Sequence, residues 1–221
     1  MPSICEVEAI RLRAGGAAER FIDKVAADEP LEIFVNGEPF AELWASPGME
    51  AEAAVGHLIC EGVIEGPEDI EAVESLGRRC EIKLRRPPLR LPPRAIEGGP
   101  TVEPELIIRA VSSLGELARG FALTGGLHAA AFFSPSGELL AMAEDVGRFN
   151  AIDKAVGLAA LRGADVRGSF MAFTGRVNAK AVEKVARAGV AIIASPSAAL
   201  ISGVRAAREL SITLVAFARE G

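Results

Sequence analysis

No regular helix or strand can run through Pro87, Pro88, Pro92, Pro93, Pro100 and Pro104 with Gly98-Gly99 among them. Each proline removes a backbone donor and fixes φ, so this stretch must be irregular. It divides the 221-residue chain. The expected layout is a domain over residues 1–95, a Pro/Gly-rich linker over 96–104 and a second domain over 105–221. Either part is long enough to bury a core of its own or to share one.

The first part reads as a smaller, β-rich α+β domain. "LEIFVNGEPFAELW" holds two strand runs around Asn36-Gly37, a strong hairpin signal. In "SPGMEAEAAVGHLICEGVI", Ser46 is placed to cap a helix with Pro47 at its first position. "IEAVESL" and "CEIKLR" read as two more strands joined near Gly77-Arg78. The second part alternates. A helix begins at "PELIIRAVSSLGELARG", and "LHAAAFF" and "ELLAMAE" form a hairpin about "SPSG". Helix and strand then take turns to the end, with a helix over Gly147–Ala160. That order predicts an α/β sheet with helices on its faces.

In such a sheet, ligands collect where strands end and helices begin. The predicted strand ends carry Glu144-Asp145, Thr174-Gly175-Arg176, Ser195-Pro196-Ser197 and Phe217-Ala218-Arg219-Glu220-Gly221. Gly125, Gly126, Gly147 and Gly175 would let a backbone approach a ligand closely. Arg148, Arg176 and Arg219 supply planar donors for phosphate or carboxylate. Asp145 or Asp153 could take a guanine edge or a ribose hydroxyl. On the helix after Gly147, Phe149, Ile152 and Val156 form an apolar stripe. Gly147, Asn150 and Lys154 share another face, expected to look toward the ligand. "EDVGR" alone is ordinary helix capping. The convergence of several loops is what raises it to a site.

Net charge is −6, so a broad nucleic-acid footprint is not expected and any phosphate site must be local. No apolar run has the length of a membrane span, and "MPSICEVEAIRLR" alternates where a secretory leader would be apolar. Cys5, Cys60 and Cys80 are scattered, with no C-x-x-C, which fits a reducing cytoplasm and gives no zinc motif. Each is expected to be a buried small hydrophobe.

"TGGLHAAAF", "EDVGRFNAIDKAVG", "FTGRVNAKAVEKVARAGVAIIASPSAA" and "ITLVAFAREG" resemble, in order and spacing, the accessory sulfurtransferases of formate dehydrogenase, the FdhD/NarQ family. The resemblance covers nearly the whole chain. It implies a cytidine-deaminase-like C-terminal domain, usually in a homodimer. It implies binding of molybdenum cofactor in its pterin guanine dinucleotide form, for which GDP is an analogue, and relay of sulfur from a cysteine desulfurase for formate dehydrogenase. Phe217–Gly221 match the family's cofactor-binding motif, and Gly126, His128, Asp145, Arg148 and Arg176 match other residues of its pocket. Two departures stand out. Phe149 replaces a usual His. Where a C-G-x-C-G sulfur loop is expected, the chain has "RLPPRAIEGGPTVEP", without cysteine. The expectation is therefore an accessory protein that binds the cofactor and supports its sulfuration, or a non-catalytic carrier without sulfur transfer. A deaminase is set aside, because no H-x-E or P-C-x-x-C exists.

Overall fold

A computed structural model describes residues 3–219. The described residues form a mixed α/β protein with three sheets. An antiparallel ribbon pairs β1 (Ile4–Leu12) with β2 (Ala18–Ala26). Next come β3 (Glu29–Val35), β4 (Glu38–Ala45), helix α1 (Glu50–Cys60), β5 (Ile70–Leu76) and β6 (Arg79–Leu84). They build a four-stranded sheet in the order β4-β3-β6-β5. The β3–β4 turn is the expected one, with Asn36 and Gly37 both at positive φ.

After the proline segment come α2 (Pro104–Leu117), α3 (Arg119–Thr124), β7 (His128–Phe133), β8 (Leu139–Asp145) and α4 (Arg148–Leu161). The chain continues through β9 (Phe170–Phe173), α5 (Ala179–Arg187), β10 (Ile192–Ala194), α6 (Ile201–Glu209) and β11 (Thr213–Val215). The five strands form one sheet in the order β11-β10-β9-β7-β8. β9, β10 and β11 are parallel, while β7 runs antiparallel to both β8 and β9. β8 therefore points the same way as β9–β11, and four carboxyl ends share one edge.

One buried cluster runs from Leu31 and Ile33 of the small sheet, through Val55 and Leu58 of α1, to Ile152 of α4 and Phe132 and Phe173 of the large sheet. The two helices meet backbone to backbone. A Cβ on Gly56 would lie 1.7 Å from the Asp153 carbonyl oxygen, and one on Gly157 would lie 1.9 Å from that of Glu52. The proline segment is strapped across this junction. Leu89 N and Leu91 N donate to the Val63 and Gly62 carbonyls, and Ile96 N to that of Leu210.

Three sequence expectations change. Ser46 and Pro47 do not start α1. Gly48 and Met49 are left-handed, Met49 is the N-cap, and the helix begins at Glu50. Short α3 was not foreseen, because its exposed Phe121 and Leu123 give it no amphipathic pattern. Cys60 and Cys80 are buried as expected, but Cys5, on the ribbon, is only partly so.

The α1–α4 contact leaves no room for a methyl group. Gly157→Ala should lower stability by about 1–3 kcal/mol or more, the usual cost of overpacking. Urea unfolding measures this, and an unchanged midpoint would show that the helices are free to part.

Candidate functional site at the carboxyl edge of the large sheet

Hydrogen bonds tie the strand ends into a continuous rim. Thr174, after β9, accepts from Ala129 N through Oγ1 at 3.0 Å and lies 3.3 Å from His128 Nδ1 at the start of β7. Ser195, after β10, donates from Oγ to the Gly175 carbonyl at 2.9 Å. Ala218 N donates to the Ser195 carbonyl and Phe217 N to that of Ser197, so the segment after β11 closes over β10. Gly175 is buried, and a Cβ there would meet the Phe173 ring at 2.5 Å and Arg148 Cδ at 3.1 Å. The stem of Arg148 thus lies across the β9 turn, where only glycine fits.

Arg148 opens α4. Its N-cap is Gly147, which has no side chain to satisfy the first-turn amides. The Arg148 Nε is buried without a hydrogen-bond partner among the described residues, and its guanidinium carbon lies 4.3 Å from the Phe149 ring centre. Burial, then the charge of Arg148, pushes the half-buried His128 below the usual histidine range, so it is neutral at pH 7. An uncapped helix N-terminus, an under-satisfied guanidinium and a glycine floor together form an anion cradle.

Phe217 and Arg219 stand at the far end of the rim. Phe217 is 58% exposed and holds φ of 53°, unusual for a bulky residue. Arg219 lies 5.8 Å from its ring centre, and Ala218 between them is buried. Arg176 is exposed beside Gly175. Glu220 and Gly221, also expected here, lie outside the described residues.

Several expected site residues have protein partners instead. Asp145 is fully buried. Its Oδ2 accepts from Ser46 N at 3.0 Å and pairs with Lys154 Nζ at 2.7 Å. Its Oδ1 accepts from Gly147 N at 2.8 Å and Asn150 Nδ2 at 3.1 Å. Lys154 also donates to the Ser46 carbonyl at 2.7 Å, and Asn150 to that of Trp44. Val146 N donates to Ser46 Oγ. Asp145, Asn150 and Lys154 therefore clamp the β4–α1 loop and leave no face of Lys154 open to a ligand. Ser46, the other half of this clamp, was read from sequence only as a helix cap.

Asp153 points away from the rim altogether. Its carboxylate meets Lys184 Nζ at 2.7 and 3.0 Å and His57 Nδ1 at 2.9 Å. Glu144 is absorbed as well, accepting from the Gly120 and Phe121 amides at the start of α3. Gly125 terminates α3 in a left-handed conformation, and Gly126 abuts Ala26 of the ribbon. These glycines shape the approach to β7 through their own packing. Among the described residues, no three His, Cys, Asp or Glu side chains gather as a metal site. No helix among them is long and apolar enough to cross a membrane.

The sequence profile of the FdhD/NarQ family matches residues 26–99 and 87–221. The chain belongs to the FdhD/NarQ family. It is 35% identical to the sulfur carrier protein FdhD of Anaeromyxobacter dehalogenans, over 99% of this chain and 90% of that one. The sulfur carrier protein FdhD of Saccharolobus solfataricus is 34% identical, over 89% and 86%. A crystal structure described as a formate dehydrogenase accessory protein from Desulfotalea psychrophila superimposes with a TM-score of 0.86. It is 26% identical, covering 98% of this chain and 93% of that one.

The buried charges make a testable statement about pH. Burial alone would raise the Asp153 carboxyl, but the Lys184 charge and the His57 and Lys184 hydrogen bonds outweigh it and hold the group below the usual carboxylate range. A carboxyl depressed in the fold adds stability above its unfolded pKa of about 4 and loses it as pH falls through the folded value. Burial would lower Lys184, but the Asp153 charge outweighs that and raises it, so its contribution is lost only on the alkaline side. Stability should be level from about pH 6 to 9 and fall on acidification. Asp153→Asn strands Lys184 with only partly exposed Glu61 and should cost about 3–5 kcal/mol. Urea midpoints across pH check both, and an Asn variant as stable as wild type would refute the pairing.

Proposed function

We propose that the carboxyl edge binds the guanine dinucleotide form of molybdenum cofactor and that the protein presents it to formate dehydrogenase or a related molybdenum or tungsten enzyme. The observation that carries this reading is Arg148 at the uncapped start of α4, its stem laid over Gly175 and its guanidinium Nε unpartnered among the described residues. Phosphate suits that cradle, through the first-turn amides and the guanidinium. The exposed Phe217 ring, with Arg219 beside it, offers a surface on which a guanine can stack. Neutral His128 and Thr174 line the rim between them. Arg176 stands in solvent, where it can meet a second phosphate.

The bound cofactor supplies the redox chemistry of the client enzyme. This chain's residues hold and orient it. Asp145 and Lys154 act at one remove, by fixing the start of α4 through Ser46. The proposal includes a cytoplasmic homodimer and a cysteine desulfurase as partner, both implied by the family.

Sulfur transfer needs a thiolate that can reach a donor. Burial, then the charges of Glu50, Glu81 and Glu52, pushes the Cys80 thiol up to about 11. Burial, then the Asp153 charge, raises Cys60 well above the ordinary thiol range. Neither is placed as a sulfur carrier, partly buried Cys5 is fixed in the β1–β2 ladder opposite Val25 and not on a loop, and the strap that replaces the cysteine loop holds none. The reading is therefore a cofactor carrier that depends on another protein's thiol for sulfuration.

GDP should bind wild-type protein in calorimetry, and Arg148→Ala should weaken it about ten- to a hundredfold, the effect of one charge-assisted contact. Absence of binding by both GDP and the authentic cofactor would overturn the reading. Incubation with a cysteine desulfurase and cysteine should leave the intact mass without stoichiometric added sulfur. A persulfide that disappears in Cys80→Ala or Cys5→Ala would restore a full sulfurtransferase.

A further inference from the structure

An open cleft of about 730 Å³ lies along the proline strap, and none of the rim residues lines it. Its volume is within the range of small-molecule sites. Phe40, Leu89 and Pro92 form apolar walls, and His57, Glu61, Arg90 and Lys180 bring polar groups.

His57 is set into this cleft from below. Its side chain is only 10% exposed, and its Nδ1 is 2.9 Å from the buried Asp153 carboxylate. Asp153 is ionised and accepts, so Nδ1 carries the proton. That leaves Nε2 as the ring nitrogen not engaged by Asp153, with the ring fixed edge-on to Phe40 at 6.2 Å between centroids. The carboxylates nearby already have cations. Asp153 holds Lys184, and Glu61 holds Lys184 at 3.0 Å and Lys180 at 3.5 Å. Arg90 is therefore a surplus positive charge. Its backbone is pinned on both sides by the Leu89 and Leu91 hydrogen bonds, while its side chain is exposed at the mouth. The result is a fixed imidazole on the floor, an apolar middle and a cation at the entrance.

We propose that this cleft is a second ligand site, for a small organic monoanion with an aromatic or apolar body and a hydroxyl group. The carboxylate accepts from Arg90, with Lys180 beside it, the ring packs on Phe40 and Leu89, and the hydroxyl, able to donate or accept, hydrogen-bonds to His57 Nε2. Asp153 and Lys184 act as positioning residues that hold the imidazole in one orientation.

The probe is 4-hydroxyphenylacetate, followed by the carbon-bound ring protons of the two histidines in NMR. His57 signals should move saturably while those of His128 stay in place. Arg90→Ala, at an exposed position, should weaken binding about tenfold or more. Phenylacetate, without the hydroxyl, and 4-hydroxyphenylacetamide, without the charge, should each bind more weakly than the probe. The site is disproved if His57 does not respond up to solubility, if the His128 signals move instead, or if Arg90→Ala or the amide binds as the probe does with wild type.

Discussion

The α1–α4 contact, with Gly56 and Gly157 allowing backbone to touch backbone, sets the positions of everything else. At that distance the middle of α4 has no solvent face. It lies between α1 and the large sheet, and every residue from Ala151 to Ala159 is buried, Asp153 and Lys154 included. Charges carried on such a helix must be matched inside the protein. Lys154 is matched by Asp145 and the Ser46 carbonyl, and Asp153 by Lys184 and His57. The polar residues of "EDVGRFNAIDK" thus join the small sheet to the large one and, by doing so, aim the first turn of α4 at the carboxyl edge.

This arrangement separates two roles that the sequence places side by side. Asp145 neutralises Lys154 and takes the Gly147 amide, so the amides further into the first turn remain for a ligand. Arg148 is the first helical residue, and its stem is held against Gly175 from the neighbouring strand end. A carboxylate aimed into the rim would repel phosphate. Saturating Asp145 inside the protein removes that repulsion and keeps the local field positive in a chain whose net charge is −6.

Much of the fold was legible in the sequence. Strand and helix alternation after Glu105 and the Asn36-Gly37 turn both follow from local rules that tertiary contacts reinforced. The convergence of strand ends was legible for the same reason, and β8 adds a fourth end because a hairpin reverses β7 between parallel neighbours. The face of α4 was not legible. Periodicity puts Asn150 and Lys154 on a face apart from the apolar stripe, open to a ligand, which presumes a helix with one side uncovered, and the β4–α1 loop and α1 cover that side. Glu144 reads as a ligand-facing residue until α3, a helix without a hydrophobic stripe, takes it as a partner. Ser46 reads as a cap, because nothing local reveals that Asp145, far along the chain, will claim its amide.

Hydrogen–deuterium exchange of the free and GDP-loaded protein tests the central claim most directly. The account predicts slower exchange in the first turn of α4 at Arg148–Asn150, in Thr174–Arg176 and in Phe217–Arg219. It predicts little change in the already buried amides of Ala151–Ala159. Protection centred on the proline strap and α1, with the carboxyl edge unchanged, would contradict it.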